Sequence, residues 1–471
     1  MTGREMEIRR IHWVEAFPFL RLFRSFGLAR NPSRLFLALC AVLSCYALGR
    51  LLDAIWLGLD RDLSISFALN DSDAGTLRAN WSDDPSLAMR QALRDAMIGD
   101  TPLVDYRAPD QESPAKIGPF ALLMRTKIRA AETVIQGAWE TIGFHGGPNT
   151  FIRAAAVGWY GSLYVAKSRP IFCFLFGLGA IAILSFFCGA IARSAAVDSA
   201  RDEPMSTREA LSFAKTRWAD FAAAPTFAGV LVVLFTIPLW LFGLVGAIPV
   251  LGDLMTGLFL PVGMLLGFVV AMILIGTVFG FHLMWPTIAV EDSDKLDAVS
   301  RAYSFVDRRP WHLAFYMFVW LMYMGICLGF VRWLFFLALK VVHASLAWVM
   351  TGVGAGNGAV SKIEGYWRMA DLADFSATSG YLVPFYGTFP TGDFGLVGDA
   401  TAMLIKFWVY LAVALFAALA LNLWICGSVQ MYFLMRRGVD GTDFSEIHAH
   451  LPSAAVPIHG DEAAPPVAAQ E

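Results

Sequence analysis

From Phe221 to Gly252 the chain carries no charged side chain, and after a single Asp253 it runs uncharged again from Leu254 to Val290. A soluble domain, which must cover its surface with polar groups, carries charge on about 25% of its residues. Here only 16% of residues are charged and 57% are hydrophobic. The hydrocarbon core of a bilayer is about 30 Å thick, so a helix rising about 1.5 Å per residue crosses it in about 20 apolar residues. Each of the two uncharged stretches is therefore expected to hold one membrane-spanning helix.

The same test finds four more spans, at Leu35–Trp56, Ile171–Ala192, Leu313–Val331 and Phe407–Met435. The last is long enough to tilt or to run past the membrane. Arg50 and Asp53 interrupt the first span near its far end; three residues apart, they share a helix face and are expected to pair or to reach for the interface. The expected fold is all-α: a polytopic transmembrane helix bundle of about six spans, with amphipathic cytoplasmic and interfacial helices. Three regions follow from this. Residues 1–34 form a cytoplasmic amphipathic N-terminal segment, 35–445 a six-span membrane domain with outer segments 57–168 and 332–406, and 446–471 a cytoplasmic tail.

Lysine and arginine in short loops set the orientation, because they are retained on the cytoplasmic side. The turn around Pro249–Gly257 has none, whereas Arg193, Arg201, Arg208, Lys215 and Arg217 precede span three and Lys295, Arg301, Arg308 and Arg309 follow span four. Both basic loops are read as cytoplasmic. Both termini then lie in the cytoplasm, with Arg21, Arg24, Arg30 and Arg34 before span one and Arg436 and Arg437 after span six. Arg169, Arg332 and Lys406 dissent on the outer side. The protein is expected in a cell membrane as a multi-pass protein, and specifically in a bacterial inner membrane.

Between the spans, residues 11–28 combine Trp13, Phe17, Phe19, Phe23 and Phe26 with Arg21 and Arg24, the composition of a helix lying in the interface. In the first outer segment, which also holds N-x-S triplets at Asn70 and Asn80, Phe120–Trp139 and Phe151–Val165 read as helices with apolar faces. Residues 332–350 carry Lys340 and His343 on an otherwise apolar helix, and are expected as a separate interfacial or reentrant helix. The glycines at 352–358 (GVGAGNG) lack the strand and the Lys of a phosphate-binding loop, so a turn is expected there. The tail, Ala/Pro-rich and without apolar periodicity, is expected to be disordered even though it carries His448 and His450.

The six cysteines (Cys40, Cys45, Cys173, Cys188, Cys327 and Cys426) all lie in or beside apolar runs without ligand spacing, so they are read as small apolar residues. A net charge of −3 gives no reason to expect nucleic acid as a partner.

The two basic loops also resemble one another. Aligning Glu209 with Asp297 pairs Ala210 with Ala298, Leu211 with Val299, Ser212 with Ser300 and Ala214 with Ala302, with a Pro (Pro225, Pro310) ahead of the next span. Two units follow, each a membrane hairpin around an amphipathic helix whose small residues allow close packing.

Glu291, Ala298, Ser300, Ala302, Arg308 and Arg309, in IAVEDSDKLDAVSRAYSFVDRRPW, resemble a short pattern in two groups. One is a set of uncharacterised bacterial polytopic membrane proteins; the other is the membrane domain attached to some glycerophosphodiester phosphodiesterases. The match covers the central spans. Too few residues follow the last span for the phosphodiesterase barrel, so the resemblance implies a membrane architecture and no phosphodiester chemistry.

No metalloprotease or nucleophile-elbow motif occurs, and Gly158–Ser162 lacks the elbow's spacing. His282 is read as an ordinary interfacial histidine. No catalytic, cofactor-binding or metal-ligating residue is nominated, no cofactor is expected, and the chain is read as a non-enzyme. The remaining classes are a structural, accessory or lipid-interacting membrane component and a transporter or channel for a hydrophobic or lipid-like substrate. The first is preferred, because spans two to five carry no ionisable residue in their cores, where a coupling site would need one. Pro238, Pro249 and Pro261 with Gly243, Gly246 and Gly267 nevertheless mark places where spans three and four are open to breaking. Membrane lipid is the expected partner, together with another membrane protein or a second copy of the chain.

Overall fold

The structure, a computed structural model, describes residues 17–58, 118–142, 162–163, 165–249, 251–352, 361–371, 385–390 and 395–447. The sequons, nearly all of Phe151–Val165, the glycines from 353 and the tail from 448 lie outside these residues.

Six long helices carry the described chain: Pro32–Gly58, Pro170–Arg201, Trp218–Gly246, Leu251–Glu291, Pro310–Gly352 and Gly395–Asp440. Each is long and apolar enough to cross a membrane, which makes this a multi-pass membrane protein. Spans one, two and five begin on a proline, which loses nothing in the first turn, where backbone N–H groups have no helical partner. Pro225 and Pro238 in span three, and Pro261 and Pro286 in span four, leave their helices unbroken. The breaks that Pro238 and Pro261 left open do not occur. In lipid, unwinding would strand more backbone groups than the single hydrogen bond a proline removes.

Span five differs from its expected extent. Residues 332–350 are neither a separate interfacial helix nor reentrant, but continue span five without interruption to Gly352. Its 43 residues run about 64 Å, twice the hydrocarbon thickness. The two polar residues that argued against continuation find partners. Lys340 Nζ donates to Ala370 O at 2.8 Å and lies 3.1 Å from Asp371, and His343 Nε2 sits 2.9 Å from Trp367 O. Phe336 and Val409 of spans five and six bury Trp367, Phe385 and Tyr386 between them, so this module is built on the extended helices.

Two short helices bridge spans two to three (Thr207–Thr216) and four to five (Lys295–Arg308). Both have side-chain N-caps of the same design. Ser206 Oγ accepts from Glu209 N at 3.3 Å, and Asp294 Oδ1 accepts from Asp297 N at 2.9 Å. Each follows a span that ends in an aspartate with left-handed backbone, Asp202 and Asp292, both at φ 55°. The aligned alanines behave alike: Ala210, Ala214, Ala298 and Ala302 are all fully buried. On span four Gly276 and Gly280, one helical turn apart, receive the second bridging helix. A Cβ on Gly276 would fall 1.9 Å from the Tyr303 ring, and one on Gly280 would meet Ala302 at 3.3 Å.

With six crossings, both described chain ends and both bridging helices lie on one side, here called the terminus-bearing end. The main core is gathered there. It joins residues 188–196, 210–228, 283–306 and 423–435 with Leu22, Leu28 and Leu37 from the N-terminal side. Farther along, spans three and four pack mainly on each other. The most apolar window of span four has none of its residues buried, and that of span three only 6%. Val233, Leu241, Leu258, Met264 and Phe268 face outward, as lipid-facing side chains do.

Residues 18–29 form a 3-10 turn and one α-helical turn and a half that dock on spans five and six. Phe19 meets Phe315 edge-on, and Tyr323 Oη donates to Phe23 O at 2.9 Å. At the far end of span one Asp53 serves a later helix. Its carboxylate accepts from Phe120 N at 2.7 Å and Ala121 N at 3.1 Å, capping the helix Pro119–Ile142.

Candidate functional site

The polar chemistry of the described residues is concentrated in a layer at the terminus-bearing end, where the spans leave their most apolar stretches. Glu291, the last residue of span four, is its centre. Arg301 Nη1 lies 2.6 Å from Glu291 Oε2, Arg436 Nε lies 3.1 Å from Oε1, and Tyr432 Oη donates to Oε1. One carboxylate with a tenth of its surface exposed thus gathers the second bridging helix and span six.

The next residue makes a second junction. Arg217, between the first bridging helix and span three, donates through Nε to Asp292 Oδ1 at 2.6 Å and through Nη2 to Asp292 O at 2.8 Å. The left-handed conformation of Asp292 turns its carbonyl and its carboxylate towards the same guanidinium. Asp202, the matching aspartate after span two, is likewise held by an arginine from a preceding element, Arg24. Below it Arg34, fully buried, binds Asp198 Oδ2 at 2.7 Å and donates to Leu28 O at 2.9 Å. Arg193 reaches from span two to Ala289 O at 2.7 Å and stacks over the Phe213 ring at 4.4 Å.

These contacts set the charge states. The hydrogen bond to Asp292 outweighs the cost of burial at Arg217 and holds its pKa above the ordinary arginine value. Burial pulls the Arg301 guanidinium down, but the charges of Glu291 and Asp297 outweigh it and leave that pKa raised as well. Both arginines are cations at any pH a membrane meets.

Comparison with family models, curated proteins and solved structures finds no match to this chain. What the layer does must come from its own geometry. Four acid–base junctions (Asp198–Arg34, Asp202–Arg24, Asp292–Arg217 and Glu291 with two arginines) each tie one element of the chain to another. Such an arrangement holds helices in register.

Residues singled out from sequence are placed as follows. Glu291 is central, Ala298 and Ala302 are buried, Ala302 against Gly280 of span four, and Ser300, Arg308 and Arg309 are exposed. His282 is no interfacial residue: it is buried, with Nε2 3.0 Å from Met431 Sδ and its ring stacked at 6.3 Å on Trp320. Among the described residues no three His, Cys, Asp or Glu side chains gather as a metal set. Sequence reasoning noted Arg217, Arg301 and Arg436 only as topology markers. Their partners, Glu291 and Asp292, sit where span four leads into the second of the aligned bridging helices.

Proposed function

We propose that this chain is a structural or accessory component of a cell membrane, organising lipid or a partner protein around a fixed helical frame. One observation carries the reading. The carboxylates of Asp198, Glu291 and Asp292 are each bound by arginines from other segments, and the layer they build ties spans one, two, four and six to both bridging helices. A carboxylate held by two arginines and a tyrosine, as Glu291 is, works as a lock between helices. The basic loops favour a terminus-bearing end that faces the cytoplasm, and a bacterial inner membrane is the setting we propose. The likeness of residues 288–311 to the membrane domain attached to some glycerophosphodiester phosphodiesterases fits an embedded accessory role without hydrolytic chemistry.

Purification in mild detergent tests this. A partner subunit, a second copy or a retained lipid should travel with the full chain in stoichiometric amount. A lone, lipid-free monomer would overturn the reading, as would substrate flux in proteoliposomes driven by a proton or sodium gradient. The latter would favour the alternative, a transporter of a hydrophobic or lipid-like compound, for which the apolar groove beside span two is the supporting observation.

A further inference from the structure

A groove of about 410 Å³ opens on the surface of span two. Ala182, Ile183, Phe186 and Phe187 form its floor, while Lys215 at the end of the first bridging helix and Trp218 at the head of span three form its rim. The rim is fixed in place, because Trp218 Nε1 donates to Ala182 O at 2.9 Å. Lys215 is exposed and has no carboxylate partner among the described residues. Arg217, two residues further on, is committed elsewhere, to Asp292.

The floor lies in the half of span two nearer the terminus-bearing end. Phe187 is about 8 Å and Ala182 about 15 Å along the helix from Ala192, where the uncharged stretch ends. This is the depth of acyl chains in one leaflet; Trp218 is anchored beside Ala182, at the deeper end of the floor, and the flexible stem of the exposed Lys215 lets its ammonium reach for a headgroup.

We propose that this groove holds an acyl chain of an anionic phospholipid from the leaflet at the terminus-bearing end, with the lipid phosphate on Lys215. The floor supplies apolar contact for any lipid; the unpaired cation adds the selection for a negative headgroup. The proposal rests on the lipid-interacting part of the function above and assigns it to one place.

The test uses the full chain, delipidated in detergent and offered equal phosphatidylglycerol and phosphatidylcholine of the same chain length, with bound lipid counted by native mass spectrometry. One bound phosphatidylglycerol is expected at about a fivefold preference, the effect of a single lysine near an anionic surface. Lys215→Glu should abolish the preference, Lys215→Arg should keep it, and Ile183→Trp, which fills the floor, should remove the bound lipid whatever its headgroup. Unchanged circular dichroism in the variants confirms that they fold. Equal binding of both lipids by the wild type, or a preference that survives Lys215→Glu, overturns the groove assignment while leaving a lipid-interacting protein. Binding of neither lipid overturns both.

Discussion

Arg217 holds Asp292 by both its side chain and its backbone carbonyl, across 75 residues of sequence. The pair ties the entry of span three to the exit of span four, the two helices whose far halves have mainly each other for protein contact. Losing Arg217 takes this cation from the sheltered Asp292 carboxylate, so Arg217→Ala should lower stability by about 2 kcal/mol, less than a fully buried pair because the arginine is partly exposed. Thermal melting of the detergent-solubilised protein would show it. A charge swap, Arg217→Asp with Asp292→Arg, should recover part of the loss.

The same junction has a defined pH response. A folded-state pKa raised above the ordinary arginine value gives stability that is complete below that value and is lost only as pH climbs through the folded one. The difference in melting temperature between wild type and Arg217→Ala should therefore stay constant from about pH 7 to about pH 10. A difference that shrinks over this range would show that another group governs the junction.

Glu291 and Asp297 both lie beside Arg301, at 2.6 Å and 3.1 Å, but only Glu291 is sheltered and shared with span six. Asp297→Ala removes an exposed pair worth at most about 0.5 kcal/mol. Glu291→Ala should cost several times as much, and the two melting curves should separate clearly.

The bridging-helix contact is tested by volume. Gly276→Leu must displace Tyr303, and Ala298→Trp must force a ring into a fully buried position, at about 1–3 kcal/mol each. Ala210→Trp should behave the same way if the two bridging helices are equivalent. Asp307, exposed, should tolerate Ala within about 0.5 kcal/mol. Asp220 is not the equally free site its sequence position suggests, because it lies 3.4 Å from Arg217.

Orientation has its own measurement. In a cysteine-free background a thiol at Ser212, exposed on the first bridging helix, should be hidden from an impermeant reagent in intact cells. One at Lys362, exposed on the other side, should react. The reverse pattern would invert the assignment of both termini to the cytoplasm.

The spans were readable in the sequence because each lipid-facing charge is costly, so a helix that crosses a bilayer must stay uncharged for as long as Leu254–Val290 does. Capping was readable too, since Ser206 and Asp294 stand three residues ahead of Glu209 and Asp297. The length of span five was not. Lys340 and His343 looked too polar to continue it because Ala370, Asp371 and Trp367, which satisfy them, come 24 to 31 residues later and only the fold brings them back. His282 misled for the same reason: nothing near it in sequence announces Met431, 149 residues away, or the Trp320 ring. The ion-pair layer was half visible, its arginines as topology markers and Glu291 in a short pattern, because pairing between segments leaves no periodic trace.

The layer also carries a timetable. Its junctions join residues made at very different moments of synthesis. Arg34 can meet Asp198 once span two has emerged, and Arg217 can meet Asp292 once span four has. Arg436, near the end of span six, reaches Glu291 only when almost the whole membrane domain has been inserted. Each of these first two pairs of helices is thus fastened as it is completed, and until the last span arrives Glu291 has Arg301 without Arg436 or Tyr432. A chain stopped before span six would carry a loosened seam at the end where all the others are tight.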